Sequence, residues 1–338
     1  MLRSPAWQTL ANYESQDLVR LRFHARFKRG LSAEGAREVR SSVSQARSYF
    51  ESAATADRTV RPLLLYYGCL GLARSLVMFL RGVRESTLAG SHGLQTGNWT
   101  SVFAQAKPDI GNIMASTLTG GAFAEFVNAT ANTSLLTHNS SLPNFAYTHP
   151  PVPTGTPILL DDILSRLPEL GAQYTRWRGL PKFCPVDELR AQEPTTDIWI
   201  SQKLHGFTID RQFIEAFFTT SSPIFQSDQN NQIWYKSSTK SSDLPPFWDH
   251  RNHAFGAVGD LVLLKDFGGA QLSKPAAVLA LAYILGMLVR YFPSKWMSLV
   301  RNEIGDAGLP TILLAIEYVD EWFPQLVLEH FERDLIGL

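Results

Sequence analysis

The chain carries no net charge, since 31 Lys and Arg balance 31 Asp and Glu. A molecule so balanced has no overall field to gather a polyanion, which excludes nucleic-acid binding by bulk charge alone. Cysteine is nearly absent, with only Cys69 and Cys184. Two thiols cannot build a disulfide framework, and both stand among apolar neighbours. Buried, reduced thiols in the cytoplasm are therefore expected. The first residues hold no apolar signal core, and the continuously apolar stretch at 276–289 is short and runs into Arg290. That stretch reads as a buried core helix, with no membrane partner. There is no phosphate-binding loop, dinucleotide fingerprint, nucleophile elbow or zinc-protease helix, so no cofactor is expected.

What the chain does have is apolar bulk. Of 338 residues 45% are hydrophobic, with eight Trp and twenty Phe, enough to bury a substantial core. The charges, although balanced, are polarised. Up to Arg84 fourteen basic residues face six acids, whereas from Asn302 onward eight acids face only Arg333. Such opposed ends suit pairing within one molecule or between subunits, contact of the basic end with RNA, or plain solvation.

Periodicity divides the chain. Residues 33–54 alternate small, charged and apolar groups at helical spacing. Arg61-Pro62 opens a second helix, with proline in the first turn, where its missing N–H costs nothing. Leu63, Tyr66, Tyr67, Leu70, Arg74, Val77, Met78 and Arg81 recur three and four apart, forming a broad stripe against a core. Gly68 and Gly71 would weaken an isolated helix, so they imply close helix–helix approach, and Gly82 ends the element. Residues 33–82 thus predict an antiparallel helical hairpin.

Beyond it, residues 86–153 are rich in Gly, Ser, Thr, Asn and Pro, with one short element at 110–127 and a loop at 137–156. A helix is expected at 158–170. Strand-like runs follow at 197–201, 223–226, 232–236 and 260–265, with a helix at 210–218 among them. Helices then return at 274–292, 296–303 and 310–331, the last interrupted near Pro324.

Several segments carry a family resemblance. These are Pro5-Ala6-Trp7 with Tyr13-Glu14-Ser15, the run Arg61-Pro-Leu-Leu-Leu-Tyr-Tyr-Gly68, and His92-Gly93-Leu94. Later come Leu160-Asp-Asp-Ile-Leu-Ser-Arg-Leu-Pro-Glu-Leu170 and Tyr283-Ile-Leu-Gly-Met-Leu-Val-Arg-Tyr-Phe-Pro-Ser-Lys-Trp296. In that order they resemble the bacterial YaaC-like family over nearly the whole chain. A second resemblance is local, over about residues 40–100. Tyr66 to Gly82, followed by Ser91-His92-Gly93-Leu94, is similar to the central hairpin of HEPN domains. Those are helical bundles, often dimeric, and many are metal-independent ribonucleases or nucleotide-binding partners in defence and toxin systems.

The HEPN resemblance implies a catalytic pair. The family's active members carry an Arg, which steadies charge developing on a phosphate, and a His, which handles the attacking 2′-hydroxyl. Arg84 and His92 are the nearest pair here, with seven residues between them, a wider gap than the family's. On one continuous helix that step turns roughly 80° past two full turns, so Gly90 would have to end the helix for the two to converge. Arg74, Arg81 and Tyr67 are the matching candidates for RNA or nucleotide contact.

Other groups weigh less. His250-Arg-Asn-His253 follows two prolines and reads as loop, with no further ligands close in sequence, so no metal is expected. Trp199, Trp234, Tyr235, Phe247 and Trp248 suit core packing better than a base-stacking platform. Arg290, at the end of an apolar helix, is expected to pair with an acid such as Glu317, the other options being snorkelling or contact with a ligand.

The fold class expected is mainly α, a HEPN-like helical bundle with a small β-containing insertion. Its regions are 1–136 for the HEPN-like part, 157–196 as connection, 197–265 as the α+β insertion, and 274–338 as helices packing back on the bundle. The function expected is an interaction or regulatory subunit of a bacterial stress or antiviral defence system, working as a homo-oligomer or with a partner protein, and recognising RNA or a nucleotide. The alternative is a divergent endoribonuclease built on Arg84 and His92.

Overall fold

A computed structural model of the chain describes residues 2, 4–136, 145–179, 181–186, 188–192, 197–202, 224–227, 233–237, 247–250, 260–264, 270–304 and 306–333. It is mainly helical. In chain order the elements are α1 (Ala6–Leu10), α2 (Gln16–Phe27), α3 (Ala33–Thr55), α4 (Arg61–Arg81), β1 (Leu94–Thr96), α5 (Trp99–Phe103), β2 (Met114–Thr117), α6 (Ala122–Ala129), β3 (Thr133–Leu136), β4 (Phe145–Thr148) and β5 (Pro157–Leu159). Then come α7 (Leu160–Leu164), α8 (Gly171–Arg178), β6 (Phe183–Val186), β7 (Glu188–Gln192), β8 (Asp197–Gln202), β9 (Ile224–Ser227), β10 (Ile233–Ser237), β11 (Phe247–His250) and β12 (Asp260–Leu264). The chain closes with α9 (Lys274–Tyr291), α10 (Pro293–Val300) and α11 (Leu309–Glu332).

The hairpin of α3 and α4 forms as its sequence predicts. The Ser32 side chain accepts from the Gly35 N–H at 3.0 Å to start α3. Pro62 sits in the first turn of α4, and Gly82, at φ +65°, closes it by donating to the Met78 carbonyl. The interhelical glycines work as expected. A Cβ on Gly68 would lie 2.7 Å from the Phe50 ring, and one on Gly71 would lie 3.1 Å from Ala46.

Helix α4 is the centre of the molecule, packed by α3, α6, α9 and α11. Every residue of α9 from Lys274 to Val289 is buried, and Gly286 lets it approach, since a Cβ there would meet the Cβ of Tyr66 at 2.6 Å. Helices α4 and α9 are long and apolar enough to cross a membrane. Both are packed inside the fold, with 61% of that stretch of α4 and 89% of that of α9 buried.

The polarised charges meet inside the molecule. Arg61 of α4 binds Asp320 at 2.7 Å and Glu317 at 3.0 Å, both on α11. Arg22 of α2 pairs with Glu332, and Arg26 donates to the His330 carbonyl at 2.6 Å. Arg61 and Asp320 are almost wholly buried, so this pair is shielded from salt in a way surface pairs are not.

Several local expectations need correction. The single element expected at 110–127 is a short 3-10 turn, β2 and α6. The loop at 137–156 contains β4, which pairs antiparallel with β3. The helix expected at 158–170 is interrupted, because Ile158 pairs with Ala115 as part of β5 and Pro168 starts a separate turn. Pro324 does not interrupt α11; burial of the helix on both sides of it outweighs the lost hydrogen bond. Helix α2 was not anticipated at all.

The expected strands at 197–201, 223–226, 232–236 and 260–265 correspond to β8, β9, β10 and β12. They lie in antiparallel sheets of order β7-β8-β10-β9 and β11-β12-β6, with a third sheet, β1-β2-β5, beside the bundle. The helix expected at 210–218 lies outside the described residues. So do His253 and the side chains of Cys184, Trp199, Trp234, Tyr235, Phe247, Trp248 and His250. Cys69 is a buried free thiol.

Two stability outcomes follow. Gly68→Val should lose about 1–3 kcal/mol by overpacking, read as a lowered denaturation midpoint, whereas Gly90→Ala, with open space around it, should leave the midpoint within about 0.5 kcal/mol. Arg61→Ala should cost about 3–5 kcal/mol, because it removes the guanidinium that faces the buried Asp320 carboxylate; an unchanged midpoint would refute that account.

Candidate functional site

The first two turns of α4 place two adjacent tyrosines at a junction with α3, α9 and the segment after residue 90. Tyr66 points into the core and Tyr67 is half-buried. The Tyr67 ring stacks on Tyr49 of α3, with centroids 5.7 Å apart. The Tyr66 hydroxyl meets the His92 Nδ1 at 2.6 Å, and the Tyr66 ring makes an edge contact with Tyr283 of α9. Tyr283 in turn donates its hydroxyl to the Leu94 carbonyl at 3.0 Å. His92 therefore sits in a cage of tyrosines whose hydroxyls are already directed.

The backbone under His92 is held as firmly. The Ala122 and Phe123 N–H groups at the start of α6 donate to the Ser91 and His92 carbonyls at 2.9 and 3.0 Å. This satisfies orphan donors of the helix and fixes the loop in one stroke. The two backbones touch because Gly93 and Gly121 both adopt positive φ, +78° and +108°. A Cβ on Gly121 would come within 2.4 Å of the Gly93 nitrogen, so no other residue fits there.

Immediately past the buried part of α9, Arg290 reaches the same place. Its Nη1 donates to the Tyr67 hydroxyl at 2.9 Å, and its guanidinium lies 5.2 Å from the exposed Tyr291 ring. Arg290 has no carboxylate partner among the described residues. The expected pairing with Glu317 fails because Glu317 is engaged by Arg61. Burial and then the positive charge of Arg290 hold the His92 pKa below its ordinary value. Both effects favour the neutral form of the His92 ring. Its Nδ1 is engaged by Tyr66, while its Nε2 has no protein partner among the described residues. Burial raises the pKa of Tyr66 far above the ordinary range, so that hydroxyl stays protonated.

Arg84 has a different setting. Its guanidinium grips both oxygens of Glu38 on α3, at 2.7 and 2.8 Å, and also Glu34 at 2.8 Å. These hydrogen bonds raise the Arg84 pKa and lower that of Glu38. The Glu85 N–H adds a further bond to Glu38 at 2.9 Å. No hydrogen bond or ion pair among the described residues joins Arg84 to His92. Arg74 donates to the Ala89 carbonyl at 3.4 Å and lies 3.9 Å from Glu85. Arg81 is exposed at the last turn of α4. The sequence candidates thus divide: Tyr67 and His92 share the cluster, with Arg290, Tyr66, Tyr49 and Tyr283 joining them, while Arg84 faces α3. Among the described residues no group of His, Cys, Asp and Glu has the composition of a metal site.

A neutral imidazole with one open nitrogen, beside an uncompensated guanidinium and several aromatic faces, can recognise an anionic, ring-bearing ligand. The electrostatic link between the two groups is measurable. In Arg290→Ala the His92 titration midpoint, followed by NMR of its ring proton, should move up toward the ordinary histidine value. A midpoint that stays put would show that the two side chains do not sense each other.

The profile of the YaaC-like protein family fits residues 10–331. No curated protein and no solved structure matches the chain. Since the matched region takes in α2 to α11 and every site residue above, the chain belongs to the YaaC-like family.

Proposed function

We propose that the chain is a HEPN-like regulatory or interaction subunit that recognises RNA or a nucleotide. The observation that carries this reading is Arg290, a guanidinium oriented by the Tyr67 hydroxyl and left without a carboxylate among the described residues, next to His92. Charge left uncompensated beside aromatic rings is what recognition of a nucleobase phosphate requires. The setting proposed is the bacterial cytoplasm, in a stress or antiviral defence system, with a second copy or another protein as partner. Tyr67 is the inner contact, and Arg74 and Arg81 extend the basic edge of α4.

The alternative is a metal-independent endoribonuclease using Arg84 and His92. The open Nε2 of His92 favours keeping it in view, because in the tautomer whose Nδ1–H donates to the Tyr66 oxygen, Nε2 can take a proton from a 2′-hydroxyl. Against it, Arg84 already has its charge answered by Glu34 and Glu38.

The two readings separate in one assay. Purified protein mixed with labelled single-stranded RNA or a labelled nucleotide in EDTA should bind one of them and leave the RNA intact. Arg290→Ala should weaken that binding at least tenfold. Cleavage abolished by His92→Ala in a folded variant would replace this reading with the enzyme. Absence of binding to either probe would end it.

A further inference from the structure

The arginines near the cluster differ in how much positive charge they leave free. Arg84 is neutralised by two carboxylates. Arg74 is drawn toward Glu85 and the Ala89 carbonyl. Arg61 and Arg22 spend their charge on α11. Tyr67, Arg74 and Arg81 follow one another at seven-residue steps along α4. By helix rise that line is roughly 20 Å long. It has the length of a nucleic-acid track, but Glu85 lies 3.9 Å from Arg74 at its middle, and Glu34 and Glu38 of α3 clasp Arg84 just past its end. A phosphate chain laid along it would meet those carboxylates. At the Tyr67 end Arg290 has no carboxylate among the described residues; Arg81, at the far end, has none among them either, but it stands three residues before Arg84 with its two carboxylates, roughly 20 Å away.

We infer that the Arg290–Tyr67–His92 cluster is a site for one phosphate of a mononucleotide, not for an RNA strand. This rests on the reading that the chain recognises RNA or a nucleotide, and narrows it to the smaller ligand. Arg290 takes the phosphate as a charge-assisted donor, held in place by the Tyr67 hydroxyl it already bonds. The open Nε2 of His92 supplies a second, uncharged hydrogen bond, and the Tyr66 hydroxyl on Nδ1 sets the ring's orientation. The ring of Tyr291, 54% exposed and already beneath the Arg290 guanidinium, offers the face for the base. One guanidinium and one imidazole N–H can hold a single phosphate group, whereas a strand brings further phosphates with no donor to meet them.

Salt dependence reads the count of phosphates directly. Each contact adds about 0.7 to the slope of log affinity against log salt for a single strand. The test titrates the full chain with each of the four ribonucleoside 5′-monophosphates and with a twelve-nucleotide oligouridine, across several salt concentrations. The expected result is that at least one mononucleotide binds, with a slope no steeper than about −0.7, no more weakly than the oligomer does per site. Arg290→Ala should lose at least tenfold in affinity. Tyr67→Phe, which keeps the ring and removes only the hydroxyl, should lose several-fold. Both are surface or half-buried changes, and circular dichroism would confirm the fold.

If the oligomer binds at least a hundredfold tighter than any mononucleotide, with a slope of several units, the single-phosphate inference fails while RNA recognition stands. Mononucleotide binding that Arg290→Ala leaves unchanged overturns the site assignment and leaves nucleotide recognition standing. If no probe binds, both fall together.

Discussion

The molecule is organised by the close approach of other helices to α4. An apolar helix packed on several sides needs neighbours at short range, and side-chain volume sets that range. Gly68 and Gly71 bring α3 into contact with the α4 backbone, and Gly286 does the same from α9. Without these three positions the stack of Phe50 against α4, and of Tyr66 against α9, would have no room. The site inherits its geometry from this packing, for Tyr49, Tyr66, Tyr67, Tyr283 and Arg290 come from the three helices so joined.

A second constraint decides which arginine is available. All guanidiniums are charged near neutral pH, so what distinguishes them is the carboxylates within reach. Glu34 and Glu38 stand one turn apart on α3 and clasp Arg84, fixing the start of the segment after α4. Arg290 leaves the end of a helix whose preceding sixteen residues are all buried, and finds a tyrosine hydroxyl instead of an acid. Glu317, the acid it was expected to use, is already paired with Arg61. Sequence proximity favoured Arg84 as the partner of His92; packing brings Arg290 there.

Much of the helical frame was legible because its signals are local. Pro62 and Gly82 mark the two ends of α4, Gly68 and Gly71 announce a close neighbour, and the run before Arg290 reads as buried helix. Helix α2 was not legible, since its exposed face includes Leu18 and Leu21 alongside arginines, blurring the stripe that periodicity relies on. The short strands β1, β2 and β5 depend on pairing between segments far apart in sequence, which no local pattern records. At the site, Tyr67 and His92 stood out from their motif. Tyr49, Tyr283 and Arg290 could be placed there only once the register between α3, α4 and α9 was known. The glycines at 93 and 121 carried a hint, since both sit in turns, but nothing in the order of residues says that those two turns face each other.

The two ends of the matched region are sewn together. The Tyr13 hydroxyl donates to the Glu332 carboxylate at 2.7 Å, Tyr13 rests against Phe331 with centroids 4.2 Å apart, and Arg22 and Arg26 grip the last turn of α11. During synthesis at the ribosome, the earliest helices must wait for residues more than three hundred positions downstream before that seam can close. Until then Tyr13, Phe23 and Phe79 share an open hydrophobic notch. Nascent chains stalled before α11 would be the species most exposed to chaperones and proteases.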